Sequence, residues 1–114
     1  MLELLQNIDE GVGMPLYVLL TKLTSDGRKS VMNNPERIFK VHKELETMGA
    51  KIITQYAVLG DYDFVNIIEA QSTEVIARIS AQFGSRGTLE VTTLAAITMQ
   101  DYVRELETAK IITK

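Results

Sequence analysis

Cysteine is absent from the 114 residues, which removes disulfides, thiolate nucleophiles and cysteine-ligated metals. A single histidine, His42, is too little for a multi-histidine metal site within one subunit. Neither a metal nor a cofactor is expected. Positive charge is scarce: 12 Lys and Arg stand against 15 Asp and Glu, a formal net charge of −3. The basic footprint of a nucleic-acid-binding domain is therefore missing. No apolar run approaches the roughly 20 residues that span a bilayer. The opening Met1-Leu2-Glu3-Leu4-Leu5-Gln6 has neither the positive start nor the long apolar centre of a secretory signal. Gly-rich phosphate loops, nucleophile elbows and helical metal motifs do not occur. These absences predict a cytoplasmic protein that engages neither nucleic acid nor membrane.

What is present suits one globular domain: 46% of residues are hydrophobic and 24% charged, in a chain long enough for one core and too short for two. Residues 1–13 read as an N-terminal extension. Leu2, Leu5 and Ile8 fall on one face of a short helix that Gly11 and Gly13 end. The compact domain is expected over residues 14–114, starting at Met14.

Pro15 to Leu23 is rich in Leu, Val and Tyr and reads as a strand, followed by a polar loop from Thr24 to Asn33. Asn34-Pro35-Glu36 carries a helix-start signature, with Asn as cap, Pro in the first turn and Glu at the positive dipole end. Ile38, Val41, Leu45 and Met48 then recur at helical spacing, and Gly49 is placed to end that helix. Lys51 to Leu59 and Tyr62 to Ala70 form two β-type runs around the Gly60-Asp61 turn, a hairpin pattern. Ser72-Thr73-Glu74 opens a second helix striped by Val75 or Ile76, Ile79 and Phe83. Leu89 to Ile97 is a fourth strand, and Met99 to Thr108 a short C-terminal helix with Tyr102, Val103 and Leu106 turned inward.

The order is βαββαβ, the ferredoxin-like plan of α+β proteins: a four-stranded antiparallel sheet with both helices on one face. A sheet covered on one side should alternate apolar with polar residues. The first strand instead offers Leu16, Val18 and Leu20 on one side and Tyr17, Leu19, Thr21 and Leu23 on the other. Four strands of about six residues cover roughly 350 Å² in projection, and monomers rarely expose larger apolar patches. Covering several hundred Å² is worth on the order of 10 kcal/mol per subunit as an upper bound. A second copy, sheet against sheet, is the simplest cover, so a homodimer or higher even oligomer is expected.

Three stretches carry a resemblance: Leu59-Gly60-Asp61-Tyr62-Asp63-Phe64-Val65, Pro15 to Thr24, and Gly87 to Ala96. Together, over about Met14 to Tyr102, they resemble the GYD-domain family. Leu23 stands where an aromatic, often Trp, is common in that family. The resemblance implies the dimeric α/β-barrel arrangement, in which ferredoxin-like subunits pair through their sheets. It implies no particular activity.

Six residues stand out as candidates for chemistry or binding. Asp63 reads either as a cap for backbone N–H groups in the turn or as a catalytic base; His42 reads either as a half-exposed helix residue or as a catalytic group. Asn66, an amide between Phe64 and Ile68 on a central strand, needs partners. Tyr17, Thr21 and Tyr56 are candidates across the sheet, and the four make a candidate ligand-binding set. Three functional readings follow: a small homo-oligomeric domain that binds a mostly apolar small molecule, a cofactor-independent oxygenase or isomerase, and a structural protein-interaction module.

Overall fold

Alternation in the first strand decides the architecture. Tyr17, Leu19 and Thr21 are buried, while Leu16, Val18 and Leu20 between them are only partly so. The former set faces the helices and the latter faces away, as the two-residue period of a strand requires. In the computed structural model, which describes residues 14–112, the elements run β1 (Leu16–Leu23), α1 (Ser25–Asn33), α2 (Arg37–Thr47), β2 (Ala50–Ala57), β3 (Phe64–Ala70), α3 (Thr73–Gly84), β4 (Leu89–Ala96) and α4 (Met99–Ile112). The strands form one sheet in the order β2-β3-β1-β4, every neighbouring pair antiparallel. This is the expected ferredoxin-like α+β fold. The extension expected at residues 1–13, with its Leu2, Leu5 and Ile8 face, lies outside the described residues.

The core lies between the sheet and the helices. Ile68 and Ala70 of β3, Leu45 of α2, and Ile76, Ile79 and Phe83 of α3 join Tyr17 and Leu19 there. Helix α3 forms as its sequence predicts. Ser72 Oγ accepts from the Val75 N–H at 3.2 Å, and the Ile76/Ile79/Phe83 stripe faces inward. Tyr17 satisfies its hydroxyl on Thr73 Oγ1, 2.9 Å away, at the start of the same helix. Gly49 ends α2 with φ of +93°, a conformation that glycine adopts without a Cβ clash.

Residues 25–33, expected as loop, are helical. Their sequence is mostly polar, so no apolar stripe announces them. The helix is held instead by its start: Thr24 Oγ1 accepts from the Gly27 N–H at 3.1 Å and donates to the Gly87 carbonyl at 2.7 Å. The Thr24 N–H donates to the Thr88 carbonyl at 3.0 Å. Gly27 is buried where α1 crosses that carbonyl, and a Cβ there would collide with it.

Asn34 does not cap α2 with its side chain. Its N–H closes α1 on the Ser30 carbonyl, and the N–H groups of Arg37, Ile38 and Phe39 donate to the carbonyls of Asn34, Pro35 and Glu36. These three-residue spacings make a tight entry turn, in which the fixed φ of Pro35 replaces a side-chain cap.

Helix α4 is also not as expected. It runs to Ile112 and buries none of its residues; Tyr102, Val103 and Leu106 are 48%, 47% and 51% exposed.

The β2–β3 hairpin contains an irregularity with consequences for the site. Ile52 pairs with Ile68, but Thr54 pairs with Ile67, so Ile53 is bulged out of the ladder. Beyond it, alternation restarts with the opposite phase. Gln55 comes to lie opposite Asn66, and Tyr56 opposite Val65.

Candidate functional site

A cavity of about 410 Å³ opens between the helix-covered face of the sheet and helices α1 and α2, with the end of α3 as its far wall. Its volume is in the range of small-molecule sites. Ile38 and Val41 of α2, Phe83 of α3, and Leu19 and Ile68 of the sheet contribute to its apolar surface. Thr21, Gln55 and Asn66 supply polar groups from the strands, and Arg37 and Arg86 are its only charged residues among those described.

Asn66 is the centre of a directional chain of hydrogen bonds. Its Nδ2 donates to the Leu19 carbonyl at 2.7 Å, and its Oδ1 accepts from Gln55 Nε2 at 2.6 Å. Gln55 Oε1 lies 2.9 Å from His42 Nε2. A carbonyl only accepts, so the Leu19 oxygen fixes the orientation of each group in turn. Asn66 must present Nδ2 to it, Gln55 must present Nε2 to Asn66, and His42 must donate from Nε2. The result is a buried amide with both ends engaged, tied through one glutamine to helix α2.

Across the mouth, Arg86 bonds Glu44 of α2 at 2.7 Å and lies 4.4 Å from the centre of the Phe83 ring, within cation–π range. The hydrogen bond from Arg86 holds the Glu44 carboxyl below its ordinary value, and the same bond raises Arg86. Arg37, in contrast, makes no ion pair among the described residues.

The model of the GYD domain matches residues 17–106, which takes in the sheet from Tyr17 onward, the cavity and the first part of α4. This chain belongs to the GYD domain family. A relative from Thermus thermophilus, named glutamine synthetase and cystathionine beta-lyase binding protein, is 43% identical over 95 residues. The alignment covers 82% of this chain and 100% of that protein. Among solved structures, the Mycobacterium tuberculosis leucine response regulatory protein superposes with a TM-score of 0.49 at 10% identity, over 79% of this chain and 56% of the regulator.

Within the GYD domain, the six candidate residues separate into distinct places. Thr21 and Asn66 line the cavity. His42 reaches it only through Gln55. Tyr17 is buried away from it, on Thr73. Tyr56 is 61% exposed on the opposite face of the sheet. The bulge at Ile53 is the physical reason: in an unbroken ladder Thr54 would meet Asn66 and Tyr56 would share its face, whereas beyond the bulge Gln55 meets Asn66 and Tyr56 turns to the other face.

Asp63 sits at the hairpin rather than in the cavity. Its Oδ2 accepts from the Leu23 N–H at 2.7 Å, at the end of β1, and lies 3.8 Å from Arg28. Its backbone bonds both Thr21 and Val58. The Tyr62-Asp63 stretch of the GYD domain thus pins the hairpin to β1. Gly60 gives the turn its positive φ of +117°.

Gln55 and Arg37 were not singled out by sequence reasoning. Gln55 was hidden by the bulge. Arg37 carries no sequence signal that separates it from the other surface cations. No group of three or more His, Asp or Glu residues among the described residues is arranged to hold a metal. No helix among them is long and apolar enough to cross a membrane.

Proposed function

We propose that this GYD domain is a non-catalytic protein-binding module that acts as a self-associated pair, with a small-molecule site in the cavity of each copy. The observation that carries the protein-binding reading is the relative from Thermus thermophilus. It aligns over its entire length, and its name describes binding to glutamine synthetase and cystathionine beta-lyase. Those two enzymes are the first partners to test here.

Self-association is supported by the face of the sheet opposite the helices. Leu16, Val18 and Leu20 of β1 stand there beside Val65 and Ile67 of β3 and Leu94 of β4. Lys22 pairs with Glu90 at one corner, and Lys51 with Glu69 near the opposite one. An apolar centre with charged corners suits a two-fold pair, in which each patch meets its own copy.

The cavity lining supports the non-catalytic reading. Among the described residues it holds no carboxylate, imidazole or thiol, and a guanidinium is not a proton-exchanging group. General acid–base chemistry needs a group that exchanges a proton near neutrality. Asp63 and His42, the two candidates for that role, are engaged by the Leu23 N–H and Gln55 respectively.

Two measurements test the reading. Light scattering at micromolar concentration is expected to give a mass twice 12.8 kDa or a higher even multiple, and Ile67→Asp is expected to return single subunits. A monomeric wild type excludes the pair. Surface plasmon resonance against purified glutamine synthetase and cystathionine beta-lyase from the same organism is expected to show saturable binding to at least one. Lack of binding to both removes these enzymes as partners.

A further inference from the structure

The cavity carries a chemical preference that its apolar lining alone does not reveal. Thr21 is 8% exposed and lines it, yet its hydroxyl makes no hydrogen bond among the described residues. No wholly enclosed side-chain polar atom in the described structure lacks a partner, so this hydroxyl faces the open volume. A hydroxyl open to that volume is free to hydrogen-bond whatever occupies it. The neighbouring amides of Asn66 and Gln55 already hold each other and the Leu19 carbonyl, which leaves Thr21 as the free polar point of the floor.

The charge on the cavity lining is one-sided. Glu44 meets Arg86, while Arg37 has no counter-ion among the described residues. Among the described residues no acidic side chain lines the cavity. Ile38, Val41 and Phe83 are among its apolar walls. We infer that the cavity binds a small carboxylic acid with a mostly apolar body, its carboxylate held by Arg37 and its body lying against Ile38, Val41 and Phe83 toward Thr21. A guanidinium is the residue type that best matches a carboxylate, through two parallel N–H donors. The apolar walls exclude water from the rest of the molecule and so favour an acid over a hydrophilic anion.

This inference rests on the reading of the cavity as a small-molecule site and adds to it the class of ligand. Octanoate and 1-octanol, equal in chain length and different in charge, separate the two. In titration calorimetry at pH 7, octanoate is expected to bind at least about tenfold more tightly than 1-octanol, the size of one charge-assisted hydrogen bond. Arg37→Gln, a change on an exposed helix position, is expected to bring the two within about twofold by lowering octanoate affinity alone. Methyl resonances of Thr21, Ile38 and Val41 are expected to shift with octanoate, which places the molecule in the cavity.

Equal binding of the two probes overturns the acid and leaves the small-molecule site standing. Binding of neither at roughly millimolar concentration overturns both. Unchanged octanoate affinity in Arg37→Gln, or shifts confined to Val18 and Ile67 on the other face of the sheet, overturns the assignment of the site.

Discussion

Asn66 and Leu19 are cross-strand partners in the β1–β3 ladder, and the side chain of one donates to the main-chain carbonyl of the other at 2.7 Å. A side chain that bonds back to the strand beside it fixes that strand's position as well as its own. Asn66→Leu leaves Gln55 without its acceptor and removes the bond to the Leu19 oxygen. A loss of about 1–3 kcal/mol is expected, read from urea unfolding. Asn66→Asp is expected to cost more, because a carboxylate only accepts and would face a carbonyl.

The Glu44–Arg86 pair predicts a pH-dependent difference. Glu44 is held below its ordinary value by the hydrogen bond from Arg86. A carboxyl whose value is lowered by folding stabilises the fold above its unfolded value. That contribution is lost as pH falls through the lowered, folded value. Both side chains are about a third exposed, so solvent screening limits the pair to about 1 kcal/mol or less. Glu44→Gln is expected to lower the thermal midpoint at pH 7. The gap from wild type should close progressively in acid below the ordinary glutamate range of about 4.3.

Gly27→Ala tests the close crossing of α1 over the end of the α3–β4 connection. The added methyl would strike the Thr88 carbonyl, the acceptor of the Thr24 N–H. Alanine ordinarily strengthens a helix, so a gain is the naive outcome. The expected result is a loss of about 1–3 kcal/mol, with amide exchange accelerated at Thr24 and Arg28 before the rest of the molecule.

Asp63 is expected to behave as a clamp. Asp63→Ala strands the Leu23 N–H and frees Arg28, at a cost of about 1–3 kcal/mol. Asp63→Asn keeps an oxygen able to accept from Leu23, so it should retain most of the stability. The two variants, compared by chemical denaturation, distinguish a lost hydrogen bond from a lost charge.

The fold was largely legible because its signals are local. The hairpin announced itself through Gly60-Asp61, and α3 through Ser72 and the Ile76/Ile79/Phe83 stripe. The ferredoxin-like order then followed. Helix α1 was not legible, since what holds it is contact between Thr24 and the Gly87–Thr88 backbone, more than sixty residues away in sequence. The buried helix-side position of Asn66 follows from alternation with Ile68, but its partner does not. Counting in twos from Ile52 puts Thr54 opposite Asn66 and Tyr56 on the same face, with Gln55 on the other. A single residue that takes no part in the ladder therefore decides which polar group reaches the cavity.

That bulged residue also says where this hairpin tolerates a change in length. Thr54 already stands where the position after Ile52 would stand in an unbroken ladder, since Ile52 and Thr54 meet the consecutive residues Ile68 and Ile67. A shorter chain lacking Ile53 would keep Gln55 beneath the helices and Tyr56 on the far side. The same excision in β3, where Val65 to Ile68 pair on both flanks without a break, would turn part of the central strand inside out.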